Sequence, residues 1–333
     1  MPTQTLITGI DAPDSDATLA IRLPTIPGLQ QISWFGSGRD GINTNRLSSG
    51  PALAPLGAPV SYGANYLRVG ANGASATATP VIVGGKVVDY IVTAGGSGFT
   101  DPPQVVVIGN GTGATAVAVI DAGVVVDINP VAVGSGYTEG LTSSNVRGGN
   151  LAALDTQIVR DAARLAAGWT WFVVARTVSS GQPTVLISDG GAVPAFQVAI
   201  ANANPSQSST PTVQLLQNGG VSTPRISFAP NTPLTAYHAI ALTYSGGAAG
   251  TFNLYDLTDG ITGTPWVASN TLVSAQAVHI GPKGVGSPVP EGLFTTEGNV
   301  AMDFISDGAM SLVGLQAIYA SVKSYLALRL ITC

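Results

Sequence analysis

The sequence predicts an all-β protein built on a jelly-roll sandwich, and three observations carry that expectation. The stretch Trp169–Thr177, Trp-Thr-Trp-Phe-Val-Val-Ala-Arg-Thr, is aromatic and β-branched, holds no Gly or Pro, and sits between Gly168 and the Ser-Ser-Gly of 179–181. That is the make-up of a strand buried on at least one face. After it, short apolar runs alternate with clusters of Gly, Pro, Asn and Ser, the rhythm of a sandwich. Finally, charged residues make up only 9% of 333 residues while Gly (42) and Pro (22) are abundant. So little charge suits a β-rich subunit that covers much of its surface in an assembly.

The chain is long enough for two or three modules. Residues 1–36 carry apolar runs at 6–10 and 17–23 broken by Asp and Pro, read as an N-terminal arm docking on a partner subunit. Residues 48–62 form a Pro/Gly-rich connection, and 65–69 a short strand. An internal repeat follows between Gly73 and Gly140. Ala76-Thr77-Ala78 recurs as Ala114-Thr115-Ala116, Val87-Val88-Asp89 as Val125-Val126-Asp127, and Gly96-Ser97-Gly98-Phe99-Thr100 as Gly134-Ser135-Gly136-Tyr137-Thr138, always 38 residues on. Each unit reads as a hairpin turning at a glycine. A Gly-Ser-Gly follows, where the backbone takes conformations other residues avoid, then one aromatic ring that covers the small residues. Pro102-Pro103 forces an extended exit into a linking strand at 104–108. These glycines follow strands and open no helix, so they read as turns rather than a phosphate cradle.

Beyond Gly168 the run-and-turn pattern predicts strands at 169–177, 184–188, 196–201, 212–217, 225–228, 237–244, 252–257, 278–280 and 299–305. One helix is expected, over 311–328, where Leu312, Leu315, Ile318, Tyr319, Val322, Tyr325 and Leu326 recur at three- and four-residue intervals.

The net charge of −5, with no Lys/Arg cluster, excludes a nucleic-acid footprint. Cys333 is the only cysteine, so no intrachain disulfide and no Cys-based metal cluster can form. No apolar run reaches the ~18 residues a membrane span needs, so no membrane insertion is expected. The start, Met-Pro-Thr-Gln-Thr-Leu, lacks the basic and apolar regions of a signal peptide. The expectation is synthesis in a host cytoplasm and release without cleaved secretion, as by lysis.

The runs Trp171-Phe172-Val173-Val174-Ala175-Arg176, Tyr237-His238-Ala239-Ile240-Ala241-Leu242-Thr243-Tyr244 and 317–327 resemble the concanavalin A-like (laminin G-like) jelly rolls of bacteriophage virion proteins. The 38-residue unit resembles the glycine-rich β repeats of phage tail and baseplate proteins. The resemblance implies a lectin-like sandwich on a virion, in a tail or baseplate appendage or a head decoration. It also implies other virion subunits and host cell-surface carbohydrate as partners, and a homo-oligomer, with a trimer the natural expectation. It further implies that the jelly roll opens before Trp169, at 57–59, 65–68 and 154–158. The domains are then an arm at 1–36, a sandwich at 37–72 and 141–333, and a repeat module at 73–140 inserted between two of its strands.

Candidate chemistry is sparse. His238 lies inside an apolar strand and His279 near a strand end, both read as satisfied structural histidines, and no His-x-x-x-His spacing offers a metal site. Glycosidases need a paired acid and nucleophile, but Asp303 has no second carboxylate two residues away. Glu291, Glu297 and Asp307 stand apart from it, and no Gly-x-Ser-x-Gly occurs. No catalytic set and no cofactor is therefore expected; a polysaccharide depolymerase and a bacterial surface adhesin are the alternatives. Three residues are candidate ligand contacts. Asp256 and Asp259, in Tyr-Asp-Leu-Thr-Asp-Gly, offer loop oxygens to Ca²⁺, against the plainer reading of an Asp-Gly hairpin. Trp266, after Pro265, offers a ring to a sugar, against a ring that covers the core edge.

Overall fold

The computed structural model describes residues 26–35, 51–57, 61–62, 66–71, 76–100, 102–147, 151–178, 183–190, 195–201, 211–218, 224–247, 249–268, 276–281, 298–328 and 331–333. Its strands are β1 (Leu29–Trp34), β2 (Ala54–Gly57), β3 (Ser61–Tyr62), β4 (Leu67–Ala71), β5 (Thr77–Val83), β6 (Lys86–Ala94), β7 (Gln104–Ile108), β8 (Thr112–Asp121), β9 (Val124–Ser135), β10 (Ser143–Arg147) and β11 (Leu151–Arg160). After helix α1 (Ala162–Ala167) come β12 (Trp169–Thr177), β13 (Pro183–Gly190), β14 (Ala195–Ala201), β15 (Thr212–Asn218), β16 (Pro224–Phe228), β17 (His238–Tyr244), β18 (Thr251–Asp256), β19 (Ile261–Thr262), β20 (Trp266–Val267), β21 (Gln276–Ile280) and β22 (Gly298–Asp307), then helix α2 (Leu312–Leu328).

The protein is all-β and lectin-like in architecture, as expected. One path of hydrogen-bonded strands runs β16-β15-β14-β13-β21-β11-β4-β22-β12-β17-β18-β19 and folds over at β4, which pairs with both β11 and β22. The two halves face each other across one core. Phe196, Val198, Ile200, Val213 and Leu215 from one half meet Trp169, Trp171, Val173, Leu242, Phe252 and Leu254 from the other.

β12 is central to its sheet, paired along its length with β22 on one side and β17 on the other. Its odd-numbered residues Trp171, Val173 and Ala175 face the sandwich interior. The even-numbered Phe172 and Val174 face outward, into a second core roofed by α2. Leu315, Ile318, Val322 and Leu326 of α2 are all buried there, at 1% exposure or less, so the stripe read from the sequence does pack on the sandwich. Trp34 of β1 meets Tyr325 edge-on at 4.7 Å.

Three boundaries differ from the sequence reading. The arm assigned to 1–36 ends in β1, which pairs with β22 from Leu29↔Ser306 to Trp34↔Met302 and so belongs to the sandwich; the apolar runs at 6–10 and 17–23 lie outside the described residues. The repeat region extends past 140, because β10 pairs with β7. A second helix, α1, forms at Ala162–Ala167, where the sequence reading expected none, with Asp161 accepting at its N-cap from the Arg164 amide (2.9 Å).

β5 to β10 form two sheets of their own, β5-β6 and β10-β7-β8-β9. Gly98 and Gly136 take equivalent left-handed conformations, with φ of 78° and 80°. Each unit's aromatic residue is bound to the other unit's turn. The Phe99 amide donates to Gly123 O and the Tyr137 amide to Gly85 O, both at 3.1 Å. Equivalent residues of the two units lie in the same small core: Val87 and Val125, Tyr90 and Ile128, Phe99 and Tyr137. The units are thus related by an approximate two-fold exchange, not by simple stacking.

Two outcomes are expected. Leu315→Ala should lower stability by about 2–5 kcal/mol in urea unfolding. The chain leaves the sandwich at β4 and returns at β11, where Ala71 pairs with Leu151 and Gly70 with Ala152; Asn150 itself lies outside the described residues. We therefore propose that the intervening module is separable. Replacing residues 73–149 by a short Gly/Ser linker should leave a cooperative thermal transition, and loss of that transition would refute separability.

Candidate functional site

Asp256 ends β18 and His238 begins β17, one strand away. Both are fully buried, and His238 Nδ1 donates to Asp256 Oδ2 at 2.7 Å. On the far side of the ring, Nε2 lies 3.2 Å from Thr232 Oγ1 and 3.3 Å from Pro233 O. Asp256 Oδ1 accepts from the Thr258 and Asp259 amides (3.1 and 3.3 Å). Asp259 in turn accepts from the Asn231 and Thr232 amides (2.6 and 2.9 Å) and from Thr232 Oγ1 (3.0 Å). Two loops are therefore tied together by one imidazole and two carboxylates.

Burial is the largest single influence on His238 and pulls its pKa down. The bond to Asp256, that carboxylate's charge, Pro233 O and Asp259 together outweigh it and raise the pKa above 6.5. Burial likewise pushes Asp259 up, but the Thr232 and Asn231 donors and the His238 charge prevail and lower it below 3.8.

One ligand atom from each of His238, Asp256 and Asp259 lies within 4.8 Å of the others, so the group has metal-like spacing. The fit is poor for Ca²⁺, which takes oxygen ligands, because an imidazole is one of the three. The carboxylate lone pairs are also already accepting N–H bonds. The three side chains are held to one another and to the loop amides by hydrogen bonds, with a proton shared between His238 Nδ1 and Asp256 Oδ2.

Trp266 is half-buried against the sandwich core, with Phe252 stacked on it at 5.4 Å and the Arg225 guanidinium over it at 5.4 Å. Its stacking partners are already within the chain, and it covers the core edge. It pairs across from Phe252, whereas Asp256 lies four residues along the same strand, about 13 Å away. The sequence-derived candidates thus do not converge.

Asp303 faces the sandwich interior and is fully buried. Gln31 Nε2 donates to its Oδ2 at 2.6 Å. Burial raises its carboxyl well above the usual range, against the bonds from Gln31 and Ser33 that pull it down, and favours the protonated form. Glu291 and Glu297 lie outside the described residues, and Asp307 accepts from Arg164 Nε at 2.7 Å. His279 is also buried, at 6% exposure.

A constellation that the sequence reading did not single out lies on the outer face, beside the core roofed by α2. Arg68 of β4 pairs with Asn299 of β22, and Asn299 pairs with Arg176 of β12. The next residue across is Tyr237, just before β17, since Ala175 pairs with His238. Leu67, Val69, Ala175 and Val300 all face the interior core, so their neighbours in this row face out. The Arg176 guanidinium lies 4.9 Å from the Tyr237 ring centre and 5.9 Å from that of Tyr66, and Arg68 lies 5.9 Å from the same Tyr66 ring. With its amide oxygen turned toward Arg176, Asn299 accepts from Nε and Nη2 at 3.3 and 3.2 Å.

Burial pushes the Tyr237 phenol up to about 12, with Arg176 pulling against it and Tyr66 adding to it, so the hydroxyl stays a donor at neutral pH. Arg176 and Tyr237 both stand in the runs that carried the lectin-like resemblance. Only the strand register aligns them with Arg68 and Asn299, which lie 108 and 123 positions from Arg176 in the chain.

No family model and no curated protein matches the chain. Solved structures similar to it include the binding domain of botulinum neurotoxin DC in complex with SialylT, at 9% identity and a TM-score of 0.38 over 66% of this chain and 47% of that one. They also include the CBM40 domain of Ruminococcus gnavus IT-sialidase bound to alpha2,3 sialyllactose, at 14% identity and a TM-score of 0.35 over 47% of this chain and 84% of that one. A Trypanosoma rangeli sialidase mutant displaying trans-sialidase activity matches at 12% identity and a TM-score of 0.35, over 55% of this chain and 27% of that one.

The buried cluster predicts a pH response. A raised His238 pKa contributes stability that is full below 6.5 and lost as pH rises through the raised value. A lowered Asp259 pKa contributes stability present above 3.8 and lost as pH falls through the lowered value. The cluster's contribution should therefore peak between pH 3.8 and 6.5. His238→Phe, which leaves Asp256 buried without its counter-charge, should cost about 3–5 kcal/mol in urea unfolding at pH 6. It should also flatten the stability loss between pH 6 and 9.

Proposed function

We propose that this protein is a non-catalytic subunit of a bacteriophage particle whose lectin-like sandwich binds host-surface glycan. The observation that carries this reading is the outward row of two arginines, an amide and two tyrosine rings. It sets exposed Arg68 and half-buried Arg176 and Tyr66 on a rigid sheet, held from beneath by the buried Tyr237 and Asn299, so polar donors and an aromatic edge are presented to a sugar with no group placed to cleave it. Against cleavage stands the state of Asp303: a carboxyl enclosed between two sheets cannot reach a glycosidic bond. The virion setting rests on the sequence resemblance to phage jelly rolls and repeats. Low charge fits a subunit packed among others in a homo-oligomer, as in a trimeric tail or baseplate appendage or a head decoration. The repeat module then serves as a side projection of the sandwich.

A glycan array read in parallel with a reducing-sugar release assay separates the possibilities. Retention of host-surface glycan without release of reducing ends is the expected result. Release that Asp303→Asn abolishes would make the protein a depolymerase instead. Because a raised carboxyl pKa costs folded-state stability above pH 3.8, Asp303→Asn should instead leave binding intact and raise the melting temperature at pH 7 more than at pH 3. Immunogold labelling of intact particles would place the subunit on tail or head, and its absence from particles would overturn the virion setting.

A further inference from the structure

We infer that His238 is a proton-operated latch on the loop between β16 and β17: with both ring nitrogens protonated it holds residues 231–236 closed, and loss of one proton loosens that loop. The hydrogen-bond partners call for the doubly protonated state. Nδ1 faces Asp256 Oδ2 at 2.7 Å and donates to it. Nε2 faces Pro233 O at 3.3 Å, and a carbonyl oxygen only accepts. Its other neighbour, Thr232 Oγ1 at 3.2 Å, already gives its single hydrogen to Asp259 Oδ1 at 3.0 Å. Acceptors thus stand on both sides of the ring, and only the imidazolium donates to both. A ring without the Nε2 proton turns a lone pair toward Pro233 O. Turning the Thr232 hydroxyl back onto Nε2 restores one bond only by taking it from Asp259.

The loop is built to respond. Thr232 and Pro233 are exposed, whereas Leu234 is fully buried in the interior core and its carbonyl accepts from Thr177 N at 2.9 Å. Pro233 O also accepts from Ala236 N at 2.8 Å, closing a turn whose next residue is Tyr237. Leu234 is therefore the fixed point, and the exposed residues before it are what the imidazole holds. Each neighbouring element brings its own charged or titratable group. Asp256 comes from β18, and Asp259 Oδ2, in the turn after it, lies 4.0 Å from Nδ1. β12 sets Ala175 opposite His238, with the next residue, Arg176, over the Tyr237 ring. From α2, Tyr319 meets Thr258 Oγ1 at 3.4 Å with Lys323 Nζ 5.6 Å from its ring centre. Burial holds the Tyr319 phenol up at about 12, so it stays neutral while His238 titrates near neutral pH. Burial also opposes the proton on His238, but Asp256, Pro233 O and Asp259 outweigh it and raise the pKa above 6.5. The latch is thus closed at pH 6.5 and opens as pH rises through the raised value.

The test is NMR of the full chain carrying isotope-labelled histidine, titrated from about pH 5 to about pH 10 and read beside hydrogen exchange. At the acid end His238 should carry a proton on each ring nitrogen and lose the one on Nε2 with a midpoint above 6.5. Across that midpoint the protection of the Asn231, Thr232 and Ala236 amides, corrected for the intrinsic pH dependence of exchange, should fall at least about fivefold while that of β12 holds. His238→Gln, neutral at every pH, should leave protection over 231–236 flat, and it tells the His238 signal from that of His279. Should that variant fail to fold, the wild-type titration alone decides. An Nε2 without a proton throughout the range, loop protection that stays constant across the midpoint, or protection lost from β12 to the same extent would each overturn the latch.

Discussion

Trp169 and Trp171 stack at 4.4 Å on one face of β12, while Phe172 stacks on Phe304 at 4.8 Å on the other. This burial of one strand on both faces governs the architecture. A strand with only one apolar face would need a single facing sheet. β12 needs a facing sheet for its tryptophans and a helix for its phenylalanine. Each fully buried aromatic contributes roughly 1.5–3 kcal/mol relative to exposure, so neither cover is dispensable. The cover on the outer side is incomplete. One step past Val174, the same face presents Arg176 and its neighbours in place of further apolar residues. The polar row thus stands where the roof ends, on a backbone that the two cores hold still.

Polar groups inside this double-sided core are accommodated in two contrasting ways. Asp303 has only Gln31 and Ser33 to meet it, and burial drives it toward the proton-bearing form. Asp256 is met by an imidazole at 2.7 Å and by two backbone amides. The difference lies in the neighbours. Asp303 sits mid-strand, where the amides are committed to the sheet ladder. Asp256 sits at a strand end, where turn amides are free to turn toward a carboxylate. A carboxylate at a strand end can therefore tie loops together, while one in mid-strand is spent on the interior.

Much of the fold was legible because its signals are local. Trp169–Thr177 was read with both ends right, and the strands at 184–188, 196–201 and 212–217 each fall within an observed strand, since Gly, Pro and Asn mark the ends and β-branched residues fill the middles. The α2 stripe was equally plain at 3.6-residue spacing. α1 was not read, although Asp161 and Gly168 bracket it as an N-cap and a left-handed stop; six residues without an apolar stripe give no periodicity to detect. β1 was taken for part of an arm because its partner, β22, lies about 270 residues further on. Asp256 and Asp259, neighbours in sequence, do meet in one cluster with His238, whereas Trp266 lies about 13 Å along the strand and the arginine row joins residues that only register brings together.

The repeat shows how much a non-local rule can hide behind a local one. A constant 38-residue offset reads as two self-contained units, each aromatic covering its own glycines. The reciprocal bonds, Phe99 to Gly123 and Tyr137 to Gly85, mean that neither hairpin finishes its turn without the other. Two units therefore close on themselves, which an open stack of repeats does not do. Closure also explains why such a module can sit between two strands of another domain. Its entry and exit are held together by β4 and β11, and its own core of Val87, Val125, Tyr90 and Ile128 makes no demand on the sandwich. Apolar side chains remain outside that core, among them Val83, Ile91, Val117, Val126 and Val131, each more than half exposed. The closed module thus keeps a small internal core and carries a valine-rich exterior, more apolar surface than a solvated hairpin pair needs.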